Sequence, residues 1–514
     1  MDRDGELDLS MSALLGIAGA KRNACAAISV DGQILAACEQ ERLTRARGVG
    51  LAAGAMPVEA VDQVLALSRA RHNGVSTYVV AEPQLQLPAS LTTIAVDHHH
   101  AHAAAAFLTS PFDRAVVLVC DSQADRELSV WIGNGTGLKD QDWPWHGCAF
   151  ATLYAECARL FDYAAQAGQA YGLEVLAHLG RGDAAEQLRH VFRYVGGALE
   201  VETNWRGRLH QMIQAERQGR EHPAETAGAI QRRIGELLLE LLQDVRKATE
   251  IDTICLGGGL FYNTYFNTLV STSGIFKQVF VPINPGNAGL AVGAALLVGC
   301  ESDGAQTRHA VSPFLGPEYD SEAIKATLDG CKLSYEYLTE TEVLDATVAA
   351  LGRGQLVAWF QGRMEWGHRA LGHRSILADP RSPYVLDNLN FFLRKRERSR
   401  PFGVAACEDA VPSLFCGPAA SPFMEYQYRA RDDQWRHVMP EGSTEIRVQT
   451  VSPEMNQFWS LLKRMEQANG SRALVNTSFN AFHEPIVCSP RDAVRVFFGT
   501  GLDMLVIGRF ILRK

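Results

Sequence analysis

Four histidines occur within the five letters HHHAH that begin at His98. The alanines that follow favour a helix, and a helix would place His98 and His102 on one face, where two imidazoles can bind one metal ion. His99 and His100 would then point elsewhere. Histidines that are merely solvated or hydrogen-bonded at a helix start show the same spacing, so the pattern alone is a weak signal. Asp121 ends the next apolar stretch and could supply an oxygen ligand at the same sheet edge.

A run of three glycines, Gly257, Gly258 and Gly259, follows another apolar stretch, and Asn263 lies at the start of the next predicted helix. Glycines let backbone N–H groups approach a phosphate or a nucleoside closely at a helix N-terminus. Tight packing of a strand against a helix also requires glycine, but three in succession favour contact with a ligand.

Arginines are concentrated in two segments, GRMEWGHRALGHRSILADPR at 362–381 and RKRERSRPF at 394–402. They are interleaved with Gly, His and Pro, and no helical spacing would turn them all towards solvent. Clustered guanidinium groups suit bidentate binding of phosphate or carboxylate-like anions. This is the strongest functional signal in the chain, and it indicates an anionic substrate.

A short polar segment, NTSFN, begins at Asn476 and follows a predicted strand. Its side chains, including that of Ser478, can bind an amide or a phosphate from a loop. An ordinary turn stabilised by Asn and Ser is an equally good interpretation. Arg447 lies in an alternating stretch and would either reach the same site or face solvent.

The elements that must position these residues alternate between strand and helix. Apolar stretches at 25–30 and 33–38 are separated by Asp31-Gly32, which predicts a hairpin. A long helix is predicted at 225–250 because apolar residues recur there with helical periodicity. Strands that end in glycine or polar turns before helices predict an α/β fold with ligand-binding loops at strand ends. The polar stretch Glu301–Ser312 predicts an inter-domain linker.

The composition excludes several classes of protein. The 514 residues are 47% hydrophobic and 21% charged, as in globular proteins of two or three domains. The net charge of −9 argues against a nucleic-acid partner, since proteins that bind nucleic acid mainly through its phosphates usually carry a basic excess. No apolar run reaches about 18 residues and no signal peptide is visible, so we expect a cytoplasmic protein with no membrane partner. The 11 cysteines form no C-x-x-C and are expected to be reduced.

Taken in order, these segments resemble the carbamoyltransferase family that includes the tobramycin, cephamycin and nodulation carbamoyltransferases. The resemblance extends over nearly the whole chain. The segments that carry it are DGQILAACEQERLTR, VDHHHAHAAAAF, LGGGLFYN, SPFLGPEY, FQGRMEWGHRALGHRSILADPR, KRERSRPF, RVQTV, NTSFN and EPIVCSPRDA.

The resemblance implies an α/β protein with two domains. Residues 1–305 would form an actin/sugar-kinase-like carbamoyl-transfer domain, and residues 312–514 would form a YrdC-like domain that makes carbamoyladenylate from ATP and carbamoyl phosphate. The carbamoyl group would then pass internally to a hydroxyl of a small molecule in antibiotic or other secondary-metabolite biosynthesis, such as an aminoglycoside, a cephem or a macrolide. A homodimer is one expected state.

The resemblance also implies residue roles. The implied metal ligands are His98, His102 and Asp121, for iron(II) in preference to magnesium or manganese. Asn287 takes the place of a further aspartate ligand, and its amide keeps an oxygen but loses the charge. Contacts to the nucleotide or its phosphates are implied for Gly257, Gly258, Gly259, Asn263, Arg369 and Arg374. The implied site for carbamoyl phosphate and adenylation comprises Arg394, Arg400, Arg447, Asn476 and Ser478. Catalytic roles fall to His98, His102, Asp121, Arg394 and Arg400.

Two departures from the family pattern lie on the transfer side. Arg22-Asn23 replace an early His-Asp pair, and Gly172 takes the place of the lysine in a K-x-M-G-L-A segment. The resemblance therefore assigns no acceptor base, and either a different acceptor or a weakened activity is expected.

Three other functions stay open. Carbamoylation of a protein thiol, as in hydrogenase maturation, is disfavoured because those relatives carry zinc-finger modules and this chain has no C-x-x-C. A tRNA threonylcarbamoyl enzyme is disfavoured by the acidic charge. A nucleotide-binding regulatory protein without catalysis would explain the departures from the family pattern, and it would bind nucleotide without releasing pyrophosphate.

Overall fold

The computed structural model describes residues 13–514 except 53–54, 70–73, 83, 124–125, 143–148, 162–168, 220–221, 303–309, 396–399 and 440–442. Within these ranges, no helix is both long enough and apolar enough to cross a membrane.

The strands in the N-terminal part are β1 Ala13–Ala18, β2 Cys25–Val30, β3 Gln33–Glu39, β4 Val75–Val80, β5 Thr93–Ala95, β6 Arg114–Cys120, β7 Leu128–Asn134, β8 Gly137–Gln141, β9 Phe192–Val195, β10 Ala198–Val201, β11 Thr253–Gly257 and β12 Gln278–Phe280. Those in the C-terminal part are β13 Glu336–Tyr337, β14 Val357–Phe360, β15 Arg374–Ala378, β16 Gly403–Cys407, β17 Phe415–Cys416, β18 Gln427–Ala430, β19 Glu445–Val451, β20 Ala473–Ser478, β21 Met504–Ile507 and β22 Phe510–Arg513.

The described α-helices are α1 Gln40–Thr44, α2 Val58–Ser68, α3 His98–Phe107, α4 Phe150–Ala158, α5 Gln169–Ala177, α6 Trp205–Arg217, α7 Ala224–Thr249, α8 Thr264–Thr272, α9 Leu290–Ser302, α10 Ser321–Gly330, α11 Glu340–Gly352, α12 Val411–Leu414, α13 Gln457–Asn469 and α14 Pro490–Gly499.

Two five-stranded sheets in the N-terminal part share one topology. Their orders are β3-β2-β1-β4-β5 and β8-β7-β6-β11-β12. In the first sheet β2 is antiparallel to both β3 and β1, and β4 and β5 run parallel to β1. In the second sheet β7 is antiparallel to both β8 and β6, and β11 and β12 run parallel to β6. Asp31 and Gly32 join β2 to β3 with φ values of 48° and 74°, as a two-residue type I′ turn requires. The predicted hairpin is confirmed.

Helices α3 and α9 lie between these two sheets. Apolar residues of both helices and both sheets form one continuous core. The helices approach closely because Gly293 of α9 faces the backbone of α3, where a Cβ at Gly293 would lie 2.0 Å from the Ala101 carbonyl oxygen. This packing holds the first turn of α3, which carries His98 and His102, beside the end of β6.

The C-terminal part contains a ten-stranded mixed sheet with the order β13-β22-β21-β14-β15-β20-β16-β19-β18-β17. Its register places Asn476 of β20 opposite Leu377 on one side and Gly403 on the other. Gly403 in turn pairs with Arg447 of β19. The sheet therefore aligns residues from four distant segments of the chain.

The predicted α/β class and the predicted long helix, now α7, are confirmed. Near the C-terminus, Gly508 turns the chain with a φ of 55° and separates β21 from β22. The linker predicted at Glu301–Ser312 begins too early, since α9 extends to Ser302. Residues 303–309, in the middle of that linker, lie outside the described residues. No disulfide bond joins the cysteines that the structure describes.

Candidate functional site

His98, His102 and Asp121 come together where the start of α3 meets the end of β6. Asp97 begins the helix by accepting a 2.9 Å hydrogen bond from the backbone N–H of His100. The two oxygens of Asp121 lie 3.5 Å from His98 Nε2 and 3.6 Å from His102 Nε2. One ligand atom from each residue lies within 4.8 Å of the others. The prediction that these residues share one sheet edge is confirmed.

The chemistry of this cluster fits a divalent metal ion. Nε2 of His98 and of His102 is buried without a hydrogen-bond partner, which is unfavourable unless a ligand engages it. Burial lowers the pKa of His102 to about 3, so the imidazole is neutral, as a metal ligand must be. Burial disfavours ionisation of Asp121, yet the adjacent histidines and the Gly259 N–H bring its pKa below the ordinary value. A carboxylate with two imidazoles suits several first-row metals.

The other two histidines of the segment point elsewhere, as predicted. His99 Nδ1 lies 2.7 Å from the hydroxyl of Ser129. The His100 ring stacks on Trp131 with 4.6 Å between centroids. Both neighbours belong to β7, so these histidines attach α3 to the second sheet.

A cavity of about 270 Å³ opens beside the metal-ligand cluster. The side chains that form most of its wall are polar. They are Arg22, Asn23, Asp121, Ser122, Gln123, Tyr154, Tyr171, Glu174, Tyr262, Asn263 and Asn287. The Arg22-Asn23 departure therefore faces this cavity. So does Asn287, the predicted fourth ligand, whose buried amide nitrogen has no hydrogen-bond partner.

Close packing accounts for much of the glycine run. Gly258 has a φ of 96°, and a Cβ there would lie 2.1 Å from the Cys120 carbonyl oxygen. A Cβ at Gly257 would lie 3.2 Å from the His102 carbonyl oxygen. Gly259 lines the cavity, and its N–H donates a 2.8 Å hydrogen bond to Asp121. The packing interpretation therefore holds for the first two glycines, and the third supports the predicted metal ligand.

Asn263 lines the same cavity, but its side chain has structural partners. Its Oδ1 accepts a 3.0 Å hydrogen bond from the Tyr265 N–H at the start of α8. Its amide nitrogen donates to Tyr154 and Gln231, each at 3.0 Å. Asn263 thus shapes the cavity wall.

Four arginines surround Tyr171 of α5. Arg447 lies within 3.4 Å of the Tyr171 hydroxyl, and Arg400 lies 5.1 Å from the ring centroid. Burial and the nearby charge of Arg400 lower the pKa of Arg394 to about 10, while Tyr171 favours its charged form. Burial and Arg447 likewise lower the pKa of Arg369 to about 10, again opposed by Tyr171. Like charges held this close favour an anionic ligand.

The NTSFN segment positions this arginine cluster. Arg394 donates to the Ser478 carbonyl oxygen and to the Asn480 side chain. Asn476 donates to the Ala370 carbonyl oxygen at 3.2 Å, next to Arg369. Its own Oδ1 is buried without a hydrogen-bond partner. The structure therefore brings together Arg394, Arg400, Arg447, Asn476 and Ser478, the residues of the site that the resemblance implied, and it places Arg369 beside them.

The loop that carries Arg369 is organised by a buried carboxylate. One oxygen of Glu365 accepts hydrogen bonds from the backbone N–H groups of Leu371, His373 and Arg374 at 2.7 to 3.0 Å. Three such bonds fold the segment back on itself without helical or strand periodicity. Sequence reasoning assigned no role to Glu365.

Arg374 does not join the cluster, which corrects the prediction that it contacts phosphate. Its guanidinium is fully buried and donates to the carbonyl oxygens of Gln361 and Pro317. It also stacks over the Phe360 ring at 3.5 Å from the centroid. These contacts hold the guanidinium against backbone carbonyl oxygens and the Phe360 ring.

Three further residues, Glu39, Arg42 and Arg45, attach the first sheet to the C-terminal part. Glu39 accepts a 3.0 Å hydrogen bond from the Gly367 N–H, and Arg42 donates to the Gly367 carbonyl oxygen at 2.7 Å. Arg45 donates to the Ile486 carbonyl oxygen at 2.7 Å. Sequence reasoning gave them no function. In the sequence, they could have been recognised as charged residues at and directly after the end of a buried strand.

Comparison with known proteins identifies the family. Residues 88–296 match the family described as Carbamoyltransferase N-terminus, and residues 348–514 match Carbamoyltransferase C-terminus. Nodulation protein NolO of Bradyrhizobium diazoefficiens is 31% identical over 444 residues, which cover 82% of this chain and 79% of NolO. This chain belongs to the carbamoyltransferase family.

Two further similarities accompany that membership. Protein sll1178 of Synechocystis sp. is 28% identical over an alignment 604 positions long, which covers 98% of this chain and 97% of sll1178. The crystal structure of HypF from T. kodakarensis aligns with a TM-score of 0.38 and 14% identity, over 58% of this chain and 50% of HypF.

The carbamoyltransferase assignment covers both candidate sites. The N-terminal match contains His98, His102, Asp121 and much of the cavity wall. The C-terminal match contains Arg369, Arg394, Arg400 and Arg447. The chain is therefore a carbamoyltransferase with one candidate site in each matched region.

Proposed function

We propose that this carbamoyltransferase is ATP-dependent and transfers the carbamoyl group to a hydroxyl in two steps. The C-terminal part, residues 312–514, forms carbamoyladenylate, and the N-terminal part, residues 1–305, transfers the carbamoyl group to a small molecule. The observation that carries the proposal is that the arginine cluster and the metal-ligand cavity meet at Tyr171. A reactive intermediate made at one site would thus have a short route to the other.

The first proposed step combines carbamoyl phosphate with ATP. Joining a carbamoyl group to AMP through a C–O–P bridge releases pyrophosphate from ATP and phosphate from carbamoyl phosphate, and it consumes one water. Water first hydrolyses carbamoyl phosphate to carbamate and phosphate. The carbamate oxygen then bonds to the α-phosphorus of ATP, and the bond from that phosphorus to the pyrophosphate oxygen breaks. Both substrates and all three products are anionic. The arginine cluster supports this step because fixed guanidinium groups bind such anions and stabilise charge on the leaving group.

Within that cluster, Arg394 and Arg400 are the proposed catalytic cations. Arg394 is buried, and its hydrogen-bond partners among the described residues are uncharged, so its charge is available to a phosphate. Arg369 and Arg447 would hold the nucleotide phosphates. Asn476, with a buried unpaired oxygen, offers an acceptor to the carbamoyl NH₂ group.

In the second step the acceptor hydroxyl oxygen bonds to the carbamoyl carbon, and the bond from that carbon to the AMP oxygen breaks. AMP leaves with the electron pair, and the hydroxyl proton is released. We place this step in the cavity beside Asp121. His98, His102, Asp121 and Asn287 would hold a divalent metal, for which we favour iron(II), and such an ion supplies Lewis-acid stabilisation of phosphate and carbonyl oxygens.

The acceptor is proposed to be a small hydroxylated molecule. A cavity of about 270 Å³ is at the small end of ligand sites, and its wall offers amides, phenols and one arginine for hydrogen bonding. An aminoglycoside, cephem or macrolide hydroxyl, presented at the cavity mouth, is the acceptor class that we propose.

The sheet topology supports the proposed domain types. The two topologically identical sheets around α3 and α9 support an actin/sugar-kinase-like transfer domain, because such folds are built from a repeated unit. The ten-stranded mixed sheet is the proposed YrdC-like domain.

The test is pyrophosphate release from ATP by the purified protein, with and without carbamoyl phosphate and iron(II), before any acceptor is added. Release that depends on carbamoyl phosphate supports the first step. ATP binding without any release would contradict the proposal and favour a regulatory nucleotide-binding function.

A further inference from the structure

One face of α5 connects the two candidate sites. Tyr171, Glu174 and His178 follow each other at three- and four-residue spacing, so they lie on the same side of the helix and its C-terminal turn. Tyr171 contacts Arg447 of the C-terminal sheet. His178 Nε2 lies 3.0 Å from the side-chain amide of Gln427 on β18. The helix is thus attached to the C-terminal part along its length.

Glu174 attaches this helix to the N-terminal part. Its carboxylate is buried, and one oxygen accepts hydrogen bonds from the backbone N–H of Thr264 at 3.0 Å and from its hydroxyl at 2.6 Å. Thr264 is the first residue of α8. Because both partners are held by regular structure, the neighbouring Tyr171 has a defined position.

Tyr171 is the residue that both sites share. Its side chain lines the cavity that contains Asp121. The same ring lies 5.1 Å from the Arg400 guanidinium carbon and 5.9 Å from that of Arg447. Both distances are within the range of cation–π attraction. The ring therefore stands between the arginine cluster and the cavity.

We propose that Tyr171 is a positioning residue whose ring separates the two sites and retains the activated carbamoyl group until transfer. This inference rests on the proposed function. The mixed anhydride of carbamate and AMP hydrolyses when water reaches it, so an enzyme that makes it must exclude water on the route to the acceptor. An aromatic ring that is held by two cations on one side and lines the cavity on the other suits this purpose.

The experiment measures AMP released from ATP and carbamoyl phosphate in the absence of an acceptor, relative to pyrophosphate released. For the wild-type protein, AMP release should lag behind pyrophosphate release because the adenylate is retained. For Tyr171→Ala, the lag should vanish and AMP release should rise about tenfold, the effect of losing the ring and its cation–π contacts with Arg400 and Arg447. Tyr171→Phe loses the hydroxyl contact with Arg447 but retains the ring and its cation–π contacts, so it should stay within about threefold of wild type.

His178→Ala is the matched control, because it removes another α5 contact with the C-terminal part without opening the cavity. It should release AMP at the wild-type rate. If it releases AMP as fast as Tyr171→Ala, helix docking and not the Tyr171 ring is responsible, and the inference is overturned. Tyr171→Leu replaces Tyr171→Ala if the alanine variant does not fold.

Two results separate this inference from the proposed function. Normal pyrophosphate release with an unchanged AMP lag in Tyr171→Ala overturns the inference and leaves the proposed function standing. An equally fast AMP release by Tyr171→Phe also overturns it, because the ring would then not be the barrier. Wild-type protein that releases no pyrophosphate with carbamoyl phosphate overturns both.

Discussion

Asp121→Asn is the substitution that separates the structural and metal-binding roles of the cluster. The two carboxylate oxygens accept hydrogen bonds from different backbone N–H groups, those of Gln123 and Gly259, each at 2.8 Å. An asparagine has one oxygen and one NH₂ group, so one backbone donor would face another donor. Losing one hydrogen bond to a charged group costs about 1.5–3 kcal/mol of unfolding free energy.

The same substitution should also weaken metal binding. Asp121 is the anionic member of the His98–His102–Asp121 set, and Asn287 beside it is neutral. Replacing the carboxylate leaves no negative charge among the proposed ligands to offset a divalent cation. Alterations to the support of metal ligands cost about 10–100-fold in affinity, so the loss of a charged ligand itself should cost at least about 100-fold.

The assay is anaerobic equilibrium binding of iron(II) and, separately, manganese(II), read by metal analysis after desalting, with urea denaturation of the metal-free proteins alongside. Asp140→Asn is the control, since Asp140 pairs with Arg126 at the surface and exposed ion pairs contribute little. Wild-type metal affinity in Asp121→Asn would refute the ligand assignment. An unchanged urea midpoint would refute the hydrogen-bond argument.

Three other predictions concern catalysis and stability. Arg394→Ala should reduce the rate of carbamoyl-phosphate-dependent pyrophosphate release at least about 30-fold, since truncating a buried charged partner costs about 2 kcal/mol or more. Arg394→Lys should recover part of that rate, and a wild-type rate in the alanine variant would contradict the proposed role. Burial raises the pKa of Glu425 from 4.5 to about 7, so the folded state binds this proton more tightly than the unfolded state. The contribution of Glu425 to stability is therefore fully present below pH 4.5, and about 3 kcal/mol is lost as the pH rises from 4.5 through 7. Urea denaturation at pH 5 and pH 8 should show that slope in the wild type and its absence in Glu425→Gln; equal slopes would show that another group is responsible. Gly258→Ala should lower the unfolding free energy by at least about 2 kcal/mol, because the new Cβ would meet the Cys120 carbonyl oxygen at a positive φ; a urea midpoint at the wild-type value would contradict the packing argument.

Local sequence pattern was sufficient to predict that His98, His102 and Asp121 lie close together. The alanine-rich stretch after His98 predicts a helix, and helical spacing alone places His98 and His102 on one face. The apolar stretch before Asp121 predicts a buried strand whose end carries the carboxylate. Since strand ends and helix starts meet at the same edge of an α/β sheet, these residues were predictable as neighbours.

The arginine cluster shows where local pattern is insufficient. Arg369 and Arg374 lie five residues apart in one segment, yet one faces Tyr171 and the other is buried against Phe360. The segment has no periodicity because its fold is set by the three hydrogen bonds to Glu365. Which arginine reaches the site is therefore decided by tertiary contacts.

By itself, the sequence predicted the α/β class, the grouping of His98, His102 and Asp121 and, through its resemblance, the carbamoyltransferase family. Only the tertiary structure decided that Gly258 serves packing, that Arg374 is structural and that Tyr171 joins the two sites. The physical reason is the range of the forces involved. Periodicity and turn preferences act between residues a few positions apart, whereas the contact between Tyr171 and Arg447 exists only because helices and sheets from both parts of the chain pack against each other.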